Sequence, residues 1–356
     1  MKILYVVTKP NVGGLQTSLR SRINALRDRG IQGEVLFLGR GDAAYIFKDI
    51  PHYFASSASS FHAIIRNGQY DYISFIYTIT YLEQIPRSFK GKVIYEVRGW
   101  NHQIASYIAL FDRAFRKVDA VFCIANYLKP LVKRQLKRRI PVFVEGNTVD
   151  PMFGYMAPRD RTWSDCPTPR KNYNIIGFVG RVERAKNWRA CIQIFEKLAR
   201  NEKIELWIIC NPNTSRDLEN MLSECRRKGL SDSVKVIAHV PNHHMPEVYS
   251  VIVDSGGCIL STSRREGLGN HILEPMACGL PVVSSNVPGK NEIIRHRRSG
   301  MLFPPSEMDR AARYVKEVIG NLEVRKTIIR GGIRTIRKEF NQVTYVERFL
   351  NILSKF

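Results

Sequence analysis

Apolar residues recur along the chain in two alternating patterns, which predict strands and helices in turn. In the first half, short runs rich in β-branched residues predict six strands: KILYVVT, EVLFLG, YISFIY, KVIYEV, AVFCIA and PVFVEG. Between the first two, Leu15, Leu19, Ile23 and Leu26 recur at helical spacing, and Gly30 is placed to end that helix. Nearly continuous apolar strands that alternate with helices indicate a parallel sheet covered on both faces.

The alternation is interrupted once and then restarts. Residues 154–172 have three prolines, many polar residues and no periodicity, which predicts a linker. Beyond it, the strands of a second unit are predicted by NIIGFVG, IELWIIC, VKVIAHV, CILS, LPVVSS and MLFP. We therefore predict an α/β fold of two facing, doubly wound Rossmann-like domains, residues 1–153 and 173–340, with a ligand-binding cleft between them. Residues 341–356 have the pattern of a helix that packs back on the first domain.

Composition narrows the class of protein. Of the 356 residues 44% are hydrophobic, enough to enclose the cores of both domains. The opening run MKILYVV is too short for the core of a signal peptide, and no apolar run approaches the length of a transmembrane helix. The seven cysteines form no C-x-x-C pair, which indicates reduced thiols. We therefore expect a cytosolic protein.

The net charge of +23, from 55 Lys+Arg against 32 Asp+Glu, implies an anionic partner. Residues 126–140 predict a basic amphipathic helix that could lie on an anionic membrane surface, although a solvated outer helix would show the same pattern. Its basic residues are Lys129, Lys133 and Lys137 on one stripe, with Arg134 and Arg138 beside it. The basic clusters are dispersed and no nucleic-acid module is present, so a membrane surface or an anionic glycan ranks above nucleic acid as the partner.

Two segments place glycines or cations where an anion could bind. The Gly13–Gly14 pair before the first helix permits close approach of a ligand to the backbone, although a plain tight turn would need it equally. In FVGRVERAKN, Arg181 follows a predicted strand, and Lys186 precedes Asn187, which we predict to cap the next helix. A guanidinium and an ammonium at this position suit a diphosphate, and two solvated surface cations are the alternative.

A third segment, REGLGNHILEPMACGLPVV, carries two glutamates around a glycine turn. Gly267 and Gly269 free the backbone, and the helix predicted from about Asn270 directs its N–H groups at the turn, which makes an anion site. Glu274, one turn into that helix, is placed to bind a vicinal diol such as ribose, and Glu266 to face the other end of a nucleotide-sugar. The structural alternative is a capping glutamate and a surface glutamate.

EGLGNHILEPMACGLPVV resembles the glutamate–seven–glutamate signature of retaining glycosyltransferases of family 4, which have the GT-B fold. FVGRVERAKN, VEGNTVDPMF and SSNVPGKNEIIRHRRSGMLFPP resemble further segments of that family. The resemblance implies that Arg181 and Lys186 bind the donor diphosphate, that Glu274 binds the ribose and that Glu266 contacts sugar hydroxyls. It also implies phosphate contacts from the backbone of three residues of the glycine turn: Leu268, Gly269 and Asn270.

The resemblance also bears on the first domain. Gly14 lies where the family's N-terminal glycine loop approaches donor and acceptor. In YEVRGWNHQ, Arg98 replaces the histidine that many members carry near the transferred sugar. His102 lies close by and could substitute for it, although an ordinary loop histidine is the favoured alternative. We count Arg98 as a catalytic candidate together with Glu266, Arg181 and Lys186.

The chain has no Asp-x-Asp pair of the kind that holds a metal on a donor diphosphate, so we expect the cations to replace the metal. Three histidines close together in the sequence are predicted to belong to a loop and not to a metal site: His239, His243 and His244.

We expect a metal-independent, retaining glycosyltransferase that needs no cofactor. It would move a hexosyl group from a nucleotide-diphospho-sugar to a hydroxyl of an envelope or surface glycan or lipid, at the inner face of the cell membrane. A sugar phosphorylase or epimerase is the alternative among enzymes. A sugar-nucleotide-binding or anionic-polymer-binding protein without turnover is the alternative outside them.

Overall fold

The computed structural model of the chain describes residues 1–10 and 13–356. It consists of two units, each built around its own parallel sheet. The first comprises Met1–Thr148 together with Gln342–Phe356, and the second comprises Val149–Asn341. Within the described residues, every helix is too short or too polar to traverse a lipid bilayer.

The first unit contains a sheet of seven strands among the described residues, with the order β3-β2-β1-β4-β5-β6-β7 and parallel pairing throughout. Its strands are β1 (Lys2–Val7), β2 (Gln32–Phe37), β3 (His52–Phe54), β4 (Tyr72–Ile76), β5 (Lys92–Val97), β6 (Ala120–Cys123) and β7 (Val142–Val144). The central strands are buried along almost their whole length, as their continuous apolar sequences predict.

The second unit contains a sheet of six described strands with the order β10-β9-β8-β11-β12-β13, again all parallel. Its strands are β8 (Asn174–Val179), β9 (Ile204–Cys210), β10 (Val234–Ala238), β11 (Cys258–Ser261), β12 (Val282–Ser285) and β13 (Met301–Phe303). The strand order reverses between β8 and β11. Ligands of doubly wound sheets bind outside the carboxyl ends of the strands at such a reversal.

Helices connect the strands of both sheets. They are α1 (Gly14–Arg27), α2 (Ala58–Gly68), α3 (His102–Leu110), α4 (Asp112–Phe115), α5 (Leu128–Gln135), α6 (Trp188–Ala199), α7 (Leu218–Arg227), α8 (Met245–Asp254), α9 (Asn270–Ala277), α10 (Met308–Gly320), α11 (Leu322–Glu339) and α12 (Gln342–Leu353). The last helix, α12, packs against α1, and Tyr345, Val346 and Phe349 are buried in the core of the first unit. The final residues of the chain therefore complete the first unit. The α/β class with two Rossmann-like units is confirmed.

Residues 154–172, predicted as a linker, are tied to the second unit. Tyr155 and Arg161 both bind the carboxylate of Asp254 at the end of α8. Glu247 on the same helix accepts hydrogen bonds from the backbone N–H groups of Thr162 and Trp163, both at 2.9 Å. The polar residues that suggested an independent linker are thus the ones that fasten the segment to α8.

The helix predicted over residues 126–140 is shorter than expected. The helix α5 ends at Gln135, and the backbone of Leu136 is already extended. Lys137 and Arg138 therefore do not continue the basic stripe, and Arg138 instead pairs with Asp112 of α4 at 2.8 Å. The prediction was wrong beyond Gln135.

Candidate functional site

The turns that follow β8 and β11 lie side by side at the reversal of strand order in the second unit. Gly180 ends β8 with a φ of 118°, and a Cβ added there would lie 3.3 Å from Cε of Lys186. Thr262, directly after β11, donates its hydroxyl proton to the carbonyl oxygens of Lys186 and Asn187 at 3.0 and 3.1 Å. The turn after β8 is therefore fixed to the end of the neighbouring strand, which determines where Lys186 lies.

Lys186 and Glu266 form an ion pair at this position. The Nζ atom of Lys186 is 2.5 Å from Oε1 of Glu266, and the two side chains are only 16% and 14% exposed. Burial opposes ionisation of Glu266, but the positive charge of Lys186, with His271 and Lys290 nearby, lowers its pKa to about 2. Glu266 is therefore a carboxylate at any pH near neutral.

Glu274 lies on α9 in a different environment. It is 8% exposed, and the hydroxyl of Tyr249 donates to its Oε2 at 3.1 Å. Burial raises the pKa of Glu274 to about 7, the hydrogen bond from Tyr249 opposes this rise, and the negative charge of Asp150 adds to it. The two glutamates that the sequence pairs are thus unlike, since Glu266 is held ionised and Glu274 titrates near neutral pH.

The glycine turn between the glutamates has the predicted form. The helix α9 begins at Asn270, and Gly269 precedes it without a side-chain cap. The turn is packed from its other side by Gly289, whose φ is 86° and where a Cβ would lie 1.9 Å from the carbonyl oxygen of Gly267. Leu268 is buried, which anchors the turn to the body of the unit.

The two residues predicted to bind the diphosphate, Arg181 and Lys186, have different partners in the structure. Arg181 is more than half exposed and pairs with Glu183 at 3.0 Å, whereas Lys186 pairs with Glu266. Asn187 precedes α6 as predicted, but its φ is 53° and its side chain accepts no capping hydrogen bond, so the predicted cap is wrong. Instead, Oδ1 of Asn187 accepts a hydrogen bond from Nη2 of Arg264 at 3.4 Å.

Two residues that the sequence reasoning missed surround Glu266. The Nε2 atom of His271 is 3.7 Å from Oε1 of Glu266 and 2.9 Å from Oγ of Ser261. Burial and the charge of Lys186 lower the pKa of His271 to about 3, so its ring is neutral. Lys290 is fully buried, and burial lowers its pKa to about 7 against the pull of Glu266. No sequence signal distinguishes Lys290 from the many other basic residues.

In the first unit, Arg98 lies at the carboxyl end of β5 and is buried. Its Nη1 donates to Glu145 and lies 3.5 Å from Glu96, and its Nη2 donates to the carbonyl oxygen of Gly146 at 3.2 Å. A second buried arginine, Arg22, bonds both carboxylates at 2.9 and 2.7 Å. Arg98 is therefore part of a buried ionic network with Arg22, Glu96 and Glu145.

The remaining predicted residues are more exposed or less constrained. Gly14 is the first residue of α1, and a Cβ added there would meet nothing within 4 Å. Asn11 and Val12, which precede the glycine pair, lie outside the described residues. His102 is exposed at the start of α3, with its Nδ1 3.4 Å from Oγ of Ser106.

The histidines near β10 are parts of a loop and a helix start. His244 contacts Glu247 at 2.7 Å, and the rings of His243 and His244 lie 4.1 Å apart. Within the described ranges, no three His, Cys, Asp or Glu side chains are grouped so as to hold a metal ion.

Comparison with known proteins gives a family match within the second unit. Residues 161–335 match the family model "Glycosyl transferases group 1". That match covers just under half of the chain. Both glutamates and the cations around them lie inside it.

Two curated relatives match about half of the chain. Sucrose synthase 2 of Tulipa gesneriana is 27% identical over 196 residues, which are 51% of this chain but only 24% of that protein. The 2-deoxystreptamine glucosyltransferase of Streptomyces kanamyceticus is 27% identical over 197 residues, 54% of this chain and 49% of that enzyme. The chain thus spans between a quarter and a half of these relatives.

Among solved structures, Anabaena Alr3699/HepE in complex with UDP and glucose superposes with a TM-score of 0.83. The sequences are 18% identical, and the match covers 100% of both chains. The predicted GT-B fold class is therefore confirmed for this chain.

Proposed function

We propose that the protein is a metal-independent, retaining glycosyltransferase whose second unit binds a nucleotide-diphospho-sugar. The proposal rests on the Lys186–Glu266 ion pair, which lies at the reversal of strand order. Both residues fall within the segment that matches the group 1 glycosyltransferase model. A third charged group, Lys290, acts on Glu266 as well. Two lysines beside one carboxylate leave a positive charge in excess, which suits the diphosphate of a donor.

The four predicted side chains, Lys186, Arg181, Glu274 and Glu266, each have a role in this proposal. Lys186 and the more exposed Arg181 bind the diphosphate, and the N–H groups at the start of α9 add to its stabilisation. Glu274 accepts hydrogen bonds from the ribose diol, and Glu266 contacts the hydroxyls of the sugar. Rotation of the exposed Arg181 side chain away from Glu183 would bring a second cation to the donor.

In the transfer step, the bond between the anomeric carbon and the diphosphate oxygen breaks, and its electron pair remains on the diphosphate. The acceptor oxygen forms the new bond to the anomeric carbon on the same face, and its proton passes to the departing phosphate. Lys186, Arg181 and the start of α9 stabilise the negative charge that develops on the leaving group. Preorganised stabilisation of this kind is often the largest catalytic contribution.

The first unit would bind the acceptor. Arg98 is retained as a residue near the transferred sugar, where its ion pairs with Glu96 and Glu145 would hold it in a single orientation. We propose an envelope glycan or lipid as the acceptor, because the net charge of +23 favours an anionic surface.

A patch of the first unit suits an anionic membrane. Leu110, the last residue of α3, and Phe111, which connects α3 to α4, are 72% and 43% exposed, and the side chain of Arg113 next to them is 84% exposed. The Asp112–Arg138 pair brings the basic residues after α5 to the same place. Apolar side chains beside cations suit the boundary between lipid headgroups and acyl chains.

The direct test is a thermal-shift panel of UDP-, GDP-, ADP- and dTDP-sugars in EDTA, followed by assay of nucleoside diphosphate release. UDP-glucose comes first, because the HepE structure contains UDP and glucose. A donor at about 100 times its Kd should stabilise the protein by roughly 2.7 kcal/mol. Binding without turnover would favour a binding protein, phosphate-dependent turnover would favour a phosphorylase, and loss of activity in EDTA would refute metal independence.

A further inference from the structure

Lys290 enters the proposal above only through its charge, yet it is the lysine that the second unit buries most completely among the described residues, at 0% exposure. It lies in the turn between β12 and β13, directly after Gly289. That glycine packs on the backbone of the turn that carries Glu266: a Cβ added to it would lie 1.9 Å from the carbonyl oxygen of Gly267 and 2.7 Å from that of Glu266. The turn after β12 therefore lies directly against the loop of the candidate site.

The ammonium of Lys290 joins the ends of two neighbouring strands. Its Nζ donates to the carbonyl oxygens of Ser261 and Ser263, at 3.2 and 3.3 Å, and to Oγ of Ser285 at 2.8 Å. Ser285 in turn donates its hydroxyl proton to the carbonyl oxygen of Ser263 at 2.7 Å. All three donors of the ammonium are thus used to fix the backbone at the point where the loop to Glu266 begins.

We propose that Lys290 is a positioning residue for Glu266, since its ammonium ties β11 to β12 and fixes the start of the loop that carries this carboxylate. The proposal rests on the proposed function, in which Glu266 contacts the transferred sugar. A carboxylate displaced by about 1 Å from its productive position can cost 100-fold in rate.

The charges around Glu266 agree with this role. Lys186 reaches it from the turn before α6, His271 from α9 and Lys290 from the turn after β12. His271 is neutral, so the two lysines supply the positive charge. Burial and the neighbouring charge of Lys186 lower the pKa of Lys290 to about 7. Lys290 therefore loses its proton, and with it one hydrogen bond, as the pH rises through neutrality.

The test compares Lys290→Met with two further variants. Methionine keeps the unbranched side chain but removes the charge and the three donors, whereas Ser285→Ala keeps the charge and removes one acceptor. The control is Lys228→Met, since Lys228 is also an ion-paired lysine, 16% exposed and distant in sequence from the site. For each variant we would measure kcat and KM for donor turnover between pH 6 and 9, the Kd of UDP by calorimetry, and amide hydrogen exchange.

A positioning role predicts that Lys290→Met lowers kcat by about 100-fold, whereas the Kd of UDP rises by less than about tenfold, because Lys290 adds charge to the site but uses its donors on protein acceptors. Wild-type kcat should fall as the pH rises through about 7, and the variant should lack this decline. Ser285→Ala should lower kcat less, and Lys228→Met should leave it unchanged. Hydrogen exchange in Lys290→Met should rise in residues 261–269 and stay unchanged elsewhere.

The proposal is overturned if Lys290→Met keeps the wild-type kcat. It is equally overturned if kcat and UDP binding are lost together with faster exchange throughout the second unit, because Lys290 would then be a structural residue only. If Lys290→Met does not fold, Ser285→Ala provides the test. A lower kcat with unchanged UDP binding would support the positioning role, and an unchanged kcat would overturn it. If the wild type turns over no nucleotide-sugar, the proposed function fails, and the exchange pattern of residues 261–269 still tests the positioning role.

Discussion

The two units of the chain each bury a cluster of ionised side chains, and the clusters differ in their charge balance. In the first unit, two positive charges face two negative ones. Arg22 lies 2.9 Å from Glu96 and 2.7 Å from Glu145, and Arg98 pairs with the same two carboxylates. The hydroxyl of Tyr345 on α12 also donates to Glu145. Burial opposes ionisation of Glu145, but Arg22 and Arg98 hold its pKa below the usual range.

In the second unit, Lys186 and Lys290 face one carboxylate, Glu266, and the adjacent His271 is neutral. In a balanced and fully buried network the charges already neutralise one another, so the network stabilises the fold and fixes Arg98 rather than attracting an added anion. An unbalanced one at the ends of strands is stabilised by an added anion. Charge balance, more than burial, therefore distinguishes the structural ion network of the first unit from the candidate ligand site of the second.

The comparison predicts its largest effect in the first unit. Glu145→Gln leaves Arg22 and Arg98 buried with a single carboxylate between them, so the free energy of unfolding should fall by about 3–5 kcal/mol. Denaturant titration measures this. Asp112→Asn, which removes the exposed partner of Arg138, is the control and should cause no measurable change. A Glu145→Gln protein as stable as the wild type would show that the network does not hold the fold.

The next effect concerns the two glutamates of the second unit. Glu266→Gln should lower kcat by about 100-fold and largely keep UDP binding, because its contacts to the sugar change as the transition state forms. Glu274→Gln should act mainly on the donor KM, at a cost of about 1–2 kcal/mol, because the ribose does not change during the reaction. Steady-state kinetics and calorimetry on both variants measure the split. The reverse split would mean that the donor lies the other way round.

The smallest effect is the pH dependence that Glu274 should cause. The carboxylate, not the acid, accepts two hydrogen bonds from a diol, so the donor KM should fall as the pH rises through about 7. Glu274→Gln should remove this dependence. If the KM of the wild type is constant between pH 6 and 8, Glu274 does not bind the ribose in its ionised form.

The same raised pKa has a consequence for stability. A carboxyl group whose pKa is about 7 in the folded protein and 4.5 ordinarily stabilises the fold fully below pH 4.5, and this contribution is lost as the pH rises to about 7. Glu274→Gln should therefore gain up to about 3 kcal/mol over the wild type at pH 8, and much less at pH 5. Thermal unfolding at the two pH values would measure the difference.

The sequence predicted most of the fold because buried parallel strands have an unmistakable apolar pattern. The strand β3 (His52–Phe54) escaped prediction because it has three residues, two of them exposed, and so carries no apolar signal. We predicted that the basic helix extends beyond Gln135, where it ends in the structure, because the residues after Gln135 have the same polar composition. Local patterns therefore identify elements better than they place the ends of those elements.

The candidate site was predicted in part. Lys186, Glu266 and Glu274 stand in motifs whose glycines and helix start are visible in the sequence. Lys290 could not be found in this way, because it donates to backbone carbonyl groups of residues distant in sequence. Only the folded chain brings these groups to the lysine. The network around Arg98 is likewise formed by residues far apart in the chain, and no local pattern indicates it.

The second unit should bind an anion where its positive charge is in excess. The most direct measurement is calorimetric titration of UDP into the wild type, Lys186→Ala and Lys197→Ala. Lys197 is a matched control, since it is an ion-paired lysine of the same unit on the exposed face of α6. The account predicts that Lys186→Ala weakens UDP binding by about 100-fold and that Lys197→Ala leaves it unchanged. Equal affinity for UDP in all three proteins would contradict it.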